Sequence, residues 1–209
     1  HRARAFRALG ADGVRLLDYL DPGAGLPLSW VASVGAQIAT VLSHAHALPV
    51  VHRDLKPSNL ILTCESNRAL VKILDLGLAL FSDDQRASLT IAHNENVLGT
   101  ADYLAPETIR EPTKILPVSD VYSLGCTLYY AVTGKVPFPG GNTADKIRRH
   151  LHETPLNPLH FNPDLPAGFC DAIAAMMHKD PDKRTPTAAA VAELLRPWCD
   201  ASATKRLAE

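Results

Sequence analysis

His52-Arg53-Asp54-Leu55-Lys56-Pro57-Ser58-Asn59 lies between an apolar helical pattern and an apolar strand pattern. A second polar group, Asp75-Leu76-Gly77, ends the next apolar strand pattern. Leu60-Ile61-Leu62-Thr63 and Leu70-Val71-Lys72-Ile73-Leu74 read as two short strands, with Glu65-Ser66-Asn67-Arg68 as the turn between them. Such a hairpin holds its two ends close together. Asn59 and Asp75 can then offer oxygen ligands to one hard cation, and Mg²⁺ accepts such ligands while keeping waters and substrate phosphates. Asp54, in the same loop as Asn59, can accept a proton from an incoming hydroxyl. Lys56 adds a point positive charge for a transferring phosphoryl group. Positioning, charge neutralisation and a base near the nucleophile are the parts that phosphoryl transfer needs.

Outward from this loop the pattern is mostly helical. From Pro27 to His46 the apolar residues Val31, Val34, Ile38, Val41, Leu42 and Ala45 recur at helical spacing, with Ser29 as the expected N-cap. Residues 81–104 are mostly polar and lack a regular period, which in a compact domain marks a functional or disordered loop. Beyond it, Ser119 or Asp120 is placed to cap a helix through Val121, Leu124, Leu128 and Val132, with Gly134 just past its end. Weaker helical patterns follow near 143–152, 168–179 and 187–196, separated by proline-rich stretches. The fold class expected is mainly α with one small β-hairpin.

Bulk properties narrow the functional classes. The 209 residues suit one sizeable domain, and their formal net charge of -1 gives no footprint for nucleic acid or an anionic membrane. Any phosphate site must be a local arrangement. Cys64, Cys126, Cys170 and Cys199 form no CxxC pair and match no zinc spacing, so free thiols in a reducing, cytoplasmic setting are expected. No apolar run approaches the ~18 residues that span a bilayer. His44 and His46, like His150 and His152, are two apart on helical patterns and point to different faces, so neither pair can converge on a metal. Trp30 and Trp198 read as packing residues.

The loop resembles the catalytic loop of protein kinases, and Asp75-Leu76-Gly77 resembles their DFG magnesium motif with Leu in place of Phe. Gly99-Thr100-Ala101-Asp102-Tyr103-Leu104-Ala105-Pro106-Glu107 is similar to the end of an activation segment closing on the APE motif. Ser119-Asp120-Val121-Tyr122-Ser123-Leu124-Gly125 is similar to the start of the family's central buried helix. Lys179-Asp180-Pro181-Asp182-Lys183-Arg184 is similar to its late arginine motif. The style resembles the eukaryote-like serine/threonine kinases of bacteria, over about residues 27–198.

The resemblance implies a protein-kinase-like C-terminal lobe at 27–199, with a catalytic loop at 52–59 and an activation segment at 75–107. It implies ATP and Mg²⁺ as cofactors and protein substrates as partners. Asp54 would be the catalytic base, Lys56 would stabilise the γ-phosphate, and Asn59 and Asp75 would hold the metal. Ile61 would form the floor under the adenine. His52 and Leu76 would join a stacked spine, with Gly77 closing the metal motif. Lys56 in this setting points to Ser/Thr acceptors, and Thr100 fits the position that supports the catalytic Asp. Glu107 would pair with Arg184, and Asp120 would anchor the central helix. Arg53 before Asp54 marks the type regulated by a phosphate on the activation loop, with Thr90, and after it Ser88, as acceptors. Aminoglycoside-type phosphotransferases share the base-plus-Asn loop, but they lack the APE segment and the late Arg motif.

The resemblance also marks what this chain does not hold. A complete kinase opens with a glycine-rich loop, a strand lysine and a helix glutamate. No GxGxxG occurs here, and residues 1–55 contain neither Lys nor Glu. The chain opens on His1 rather than Met, so a fragment or processed product is expected. Residues 1–26 read as a remnant of the N-terminal lobe or hinge region, and 200–209 as a tail. Val14–Leu20 reads as one short strand, either the one leading into the hinge or the one before it. In both cases Asp21–Leu28 is too short for the helix that follows a kinase hinge. A catalytically inactive, pseudokinase-like interaction module is therefore the alternative reading.

Overall fold

In the computed structural model, residues 13–20, 23, 25–65, 68–74 and 99–200 are described, without the side chains of Tyr19, Cys64, Glu65 and Arg68. Three short strands form an antiparallel sheet in the order β1 (Val14–Arg15), β2 (Leu60–Glu65) and β3 (Arg68–Ile73). The expected hairpin is β2–β3, with Leu60 opposite Ile73 and Leu62 opposite Val71. Period two puts Leu60 and Leu62 on one face, and both are fully buried.

The Val14–Leu20 expectation needs correction. Only Val14 and Arg15 are strand, and α1 (Leu16–Tyr19) follows at once. The short helix therefore lies before Asp21, not in the Asp21–Leu28 stretch. Leu16, fully buried, draws the chain into a helical turn against the core. Gly13 makes the join possible. Its φ is +71°, and a Cβ there would meet the Leu62 carbonyl oxygen at 2.7 Å and the Ile61 side chain closer still.

Helix α2 (Leu28–Ala47) buries Val31, Val34, Ile38 and Leu42 on one stripe, as the spacing predicts. Its N-cap is Pro27, whose backbone is extended, and no side chain caps the helix. Ser29 instead lies inside the first turn, where its carbonyl accepts the Ser33 hydroxyl at 2.7 Å.

After α3 (Pro106–Arg110), the central element is α4 (Pro117–Thr133), which is buried nearly all round. Two of its buried threonine hydroxyls bond within the helix. Thr127 donates to the Ser123 carbonyl at 2.9 Å and Thr133 to that of Tyr129 at 2.7 Å. Gly134 closes it in the left-handed conformation, φ 69°, as expected. The expected cap does not hold. Pro117 opens the helix after Leu116, which frees Ser119 and Asp120 for long-range bonds described below.

Helices α5 (Thr143–His152), α6 (Ala167–Met176) and α7 (Ala188–Leu195) complete the domain. A reciprocal cap between Asn142 and Asp145 starts α5. Gly35 of α2 lets Leu128 of α4 and Leu195 of α7 approach within contact of its backbone. Trp30 is buried, and Trp198 packs edge-on against Phe169 at 5.3 Å, so both tryptophans serve packing. Cys126 and Cys170 are buried free thiols and Cys199 is half-buried. Among the described residues no helix is long and apolar enough to cross a membrane.

Candidate active site

The loop after α2 is held from below. Both oxygens of the buried Asp120 carboxylate face it: Oδ2 accepts the His52 amide and Oδ1 the Arg53 amide, each at 2.9 Å. His46, near the end of α2, donates from Nε2 to Oδ2 at 2.8 Å. Arg53 has φ 68°, a conformation that costs a non-glycine residue free energy. Asp120 supplies the bonds that hold it there.

His52 is buried and bridges outward. The Asp54 amide donates to its Nδ1 at 3.3 Å, so its proton sits on Nε2, which donates to the Leu74 carbonyl at 2.9 Å. The Leu74 amide donates to the Asn59 carbonyl at 2.9 Å. The end of β3 is thereby tied to both ends of the loop. Asp75, Leu76, Gly77, Ser88 and Thr90 lie outside the described residues.

On top of this base four side chains converge. Lys56 Nζ is 2.7 Å from Asp54 Oδ2 and donates to Thr100 Oγ1 at 2.7 Å. Asn59 Nδ2 donates to the Asp54 carbonyl at 2.8 Å and to Asp54 Oδ2 at 3.1 Å. The amide's donors thus point at Asp54, which leaves Asn59 Oδ1 as the atom with cation-binding chemistry. Asp54 is 43% exposed, so its carboxylate is fixed from one side and open from the other. Ile61 is partly buried on β2, with Gly13 against it.

A second cluster fixes the segment after Thr100. Arg184 makes two parallel bonds to Glu107, Nη1 to Oε1 at 2.6 Å and Nη2 to Oε2 at 2.8 Å. Both side chains are buried. The Ser119 hydroxyl adds a bond to Oε1 at 2.7 Å, and the Arg184 guanidinium also reaches the carbonyls of Val118 and His178. Burial alone would raise the Glu107 carboxyl. The Arg184 bonds and charge, with Ser119, outweigh it and hold the group below its ordinary value.

A third ion pair has no counterpart in the sequence reading. Lys146 of α5 lies 2.8 Å from each Asp102 oxygen, in buried surroundings. Desolvation raises the Asp102 carboxyl, and Lys146 opposes that rise. Next to it, His150 is fully buried and accepts the Tyr122 hydroxyl on Nδ1 at 2.9 Å. Burial and the nearby Lys179 charge hold it down at about 3, so it is neutral. Lys179, bonded to the Tyr122 hydroxyl at 3.0 Å, is itself lowered to about 8 by desolvation.

The structure therefore joins Asp54 with Lys56, Asn59 and Thr100; His52 and Arg53 with Asp120; and Glu107 with Arg184. Sequence reasoning missed His46, Ser119 and the Asp102–Lys146 pair. Nothing local signals these residues, because each partner lies 12 or more positions away.

The protein kinase domain family matches residues 10–198. The chain belongs to that family. It is 37% identical to a probable serine/threonine-protein kinase of Clostridium perfringens (strain 13 / Type A) over 85% of this chain and 25% of that protein. It is 34% identical to the serine/threonine-protein kinase PknB of Mycolicibacterium smegmatis over 88% of this chain and 29% of that protein. It is 32% identical to PrkC of Bacillus subtilis, also a serine/threonine-protein kinase, over 85% of this chain and 26% of that protein. The kinase chain thus spans roughly a quarter of the length of these curated relatives. Its fold is similar to that of the Rad53 kinase domain and SCD2 in complex with AMPPNP, with a TM-score of 0.67 at 25% identity over 90% of this chain and 66% of that one. The expected eukaryote-like bacterial kinase family and the kinase-like, mainly helical lobe are both found.

Proposed function

We propose that this chain carries the catalytic loop of a serine/threonine protein kinase that moves the γ-phosphoryl group of ATP to protein Ser/Thr hydroxyls with Mg²⁺. The convergence of Lys56 and Asn59 on Asp54, with Thr100 accepting from Lys56, carries the reading. The names of the relatives support the Ser/Thr class.

In this proposal the open face of Asp54 takes the hydroxyl proton, with the carboxylate aimed by Asn59 and Lys56. The Lys56 ammonium, fixed between Asp54 and Thr100, lies where negative charge builds on the transferring group. Thr100 links this lysine to the segment that Glu107 and Arg184 anchor, so the order of that segment and the aim of Lys56 are one property. The donor set fits a magnesium ion, since Asn59 offers a neutral oxygen and Asp75 would offer a carboxylate. When bound, the ion would neutralise phosphate charge. The lobe would span 27–199, with ATP reaching it over Ile61, and Thr90 would be the regulatory acceptor for the Arg53 type.

Residues 1–55 supply neither a lysine nor a glutamate to orient the α- and β-phosphates. We therefore expect the 209-residue chain alone to bind ATP weakly and to transfer phosphate slowly or not at all. That census also favours the second reading, a catalytically silent interaction module. The test is Mg·ATP-dependent phosphorylation of a protein by the purified chain beside Asp54→Asn. Robust transfer abolished by the substitution would show that these residues suffice and would overturn the expectation of weak activity.

A further inference from the structure

A cavity of about 470 Å³ opens between the end of α2, the start of α4 and the start of α7. Its size lies within the ~300–1,000 Å³ of small-molecule pockets. Ala47, Leu116, Pro117, Val118, Pro186 and Ala188 give it an apolar wall. Among the described lining residues there is no Asp, Glu, Lys or Arg. A charged ligand would shed its water here and meet no counter-charge. The small, stiff alanines and prolines leave room for a rigid ring, which loses little conformational freedom on binding.

His46 joins this cavity to the catalytic loop. Its ring is part of the lining, and its Nε2 donates at 2.8 Å to Asp120 Oδ2, the oxygen that also accepts the His52 amide. The other oxygen of the same carboxylate holds the Arg53 amide at 2.9 Å. Nδ1 of His46 bonds to no group among the described residues, and it is not sealed in the core. In the neutral ring the proton is on Nε2, so Nδ1 is an acceptor. The Thr187 hydroxyl oxygen already accepts the Ala190 amide at 3.0 Å, and the Ser43 hydroxyl can serve either role. The ring nitrogen therefore sets the polarity a ligand must carry, an N–H or O–H donor. A donor on Nδ1 polarises the ring and strengthens the Nε2 bond to Asp120.

We infer that this cavity binds a small, uncharged aromatic molecule carrying one N–H or O–H donor, and that its occupancy reaches the catalytic loop through His46 and Asp120. The site is distinct from Asp54 and its partners. The inference holds whether or not the chain transfers phosphate.

The test is titration of the isotope-labelled 209-residue chain with indole, benzofuran and indole-3-acetate, followed by amide NMR shifts. Indole has the ring N–H, benzofuran is its near-isostere without a donor, and the acetate adds a negative charge. Indole is expected to bind about two- to tenfold more tightly than benzofuran, the worth of one hydrogen bond. The His52 and Arg53 amide signals shift with the same saturation as the binding. Ala47 and Ala189 are exposed at the lip, so Ala47→Phe and Ala189→Phe fill the cavity from outside, and circular dichroism melting verifies that both keep the fold. Each variant weakens indole binding at least about tenfold. Benzofuran or indole-3-acetate binding as tightly as indole would overturn the inference. So would indole binding that both substitutions leave untouched, His52 and Arg53 signals that stay fixed, or no saturable binding up to the solubility of indole. Self-association that Ala189→Phe abolishes in sedimentation would give the cavity to a second copy of the chain and overturn it too.

Discussion

Asp120 in the buried core holds Arg53 in the left-handed region, through a backbone amide bond of 2.9 Å at φ 68°. The residue before the candidate base thus takes a strained conformation because a carboxylate on another helix compensates it. Asp120→Asn keeps the volume but turns one acceptor into a donor facing an amide or His46. The loss expected is about 3 kcal/mol in chemical denaturation, the scale of a buried charged group left mispaired. A variant as stable as the parent would show that the loop holds itself.

Glu107 and Arg184 form a buried two-bond ion pair, so removing either leaves a buried charge. Glu107→Ala and Arg184→Ala are each expected to cost about 3–5 kcal/mol, and the double variant much less than their sum. Because the Glu107 carboxyl is lowered in the fold, the stability it contributes is fully present above the unfolded value of 4.5 and is lost as pH falls below it through the folded-state value. Denaturation midpoints across that window measure the loss, and Glu107→Gln flattens it.

His150 titrates in the opposite chemical sense with the same outcome. Its fold-lowered value of about 3 against the ordinary 6.5 means the unfolded chain binds the extra proton. Stability from the neutral ring is therefore present above 6.5 and falls as pH drops from there towards 3. The slope expected is at most about 1.4 kcal/mol per pH unit from this one group. His150→Phe removes this contribution while keeping an aromatic ring beside Phe138.

Gly25 faces the Val132 backbone so closely that a Cβ would overlap its carbonyl. The neighbouring Leu26 amide donates to the Ala131 carbonyl at 2.7 Å, which locks the approach. Gly25→Ala is expected to cost about 2 kcal/mol or more in melting or denaturant experiments, because backbone cannot rotate away as a side chain can.

The legible parts of the fold were those with strong periods. The α2 stripe, the β2–β3 hairpin and the Gly134 stop are set by neighbours in sequence and appear as expected. The helix starts were less legible. Ser29, Ser119 and Asp120 have capping chemistry, yet proline opens or precedes both helices and tertiary partners claim the latter two side chains. The strand reading of Val14–Leu20 holds only at Val14 and Arg15, which pair with β2, and gives way to α1 where Leu16 is buried. In the site, Asp54, Lys56 and Asn59 were legible from their shared loop, and Thr100 only through the family resemblance. The Asp102–Lys146 pair was not, since no local pattern tells an ion-paired aspartate from an exposed one.

Asp54, Lys56, Asn59 and Thr100 are brought together here, while residues 1–55 hold no lysine or glutamate to orient the α- and β-phosphates. The most direct measurement is Mg·ATP-dependent phosphorylation of Ser/Thr peptides by the chain alone and by the chain joined behind the N-terminal lobe of a relative such as PrkC, each beside Asp54→Asn. Transfer near background is expected for the chain alone. Transfer in the joined protein is expected to fall by about 10²–10⁴ on Asp54→Asn, the usual contribution of a positioned base. No transfer in the joined protein, or transfer that survives Asp54→Asn, would overturn the assignment of Asp54 as the base.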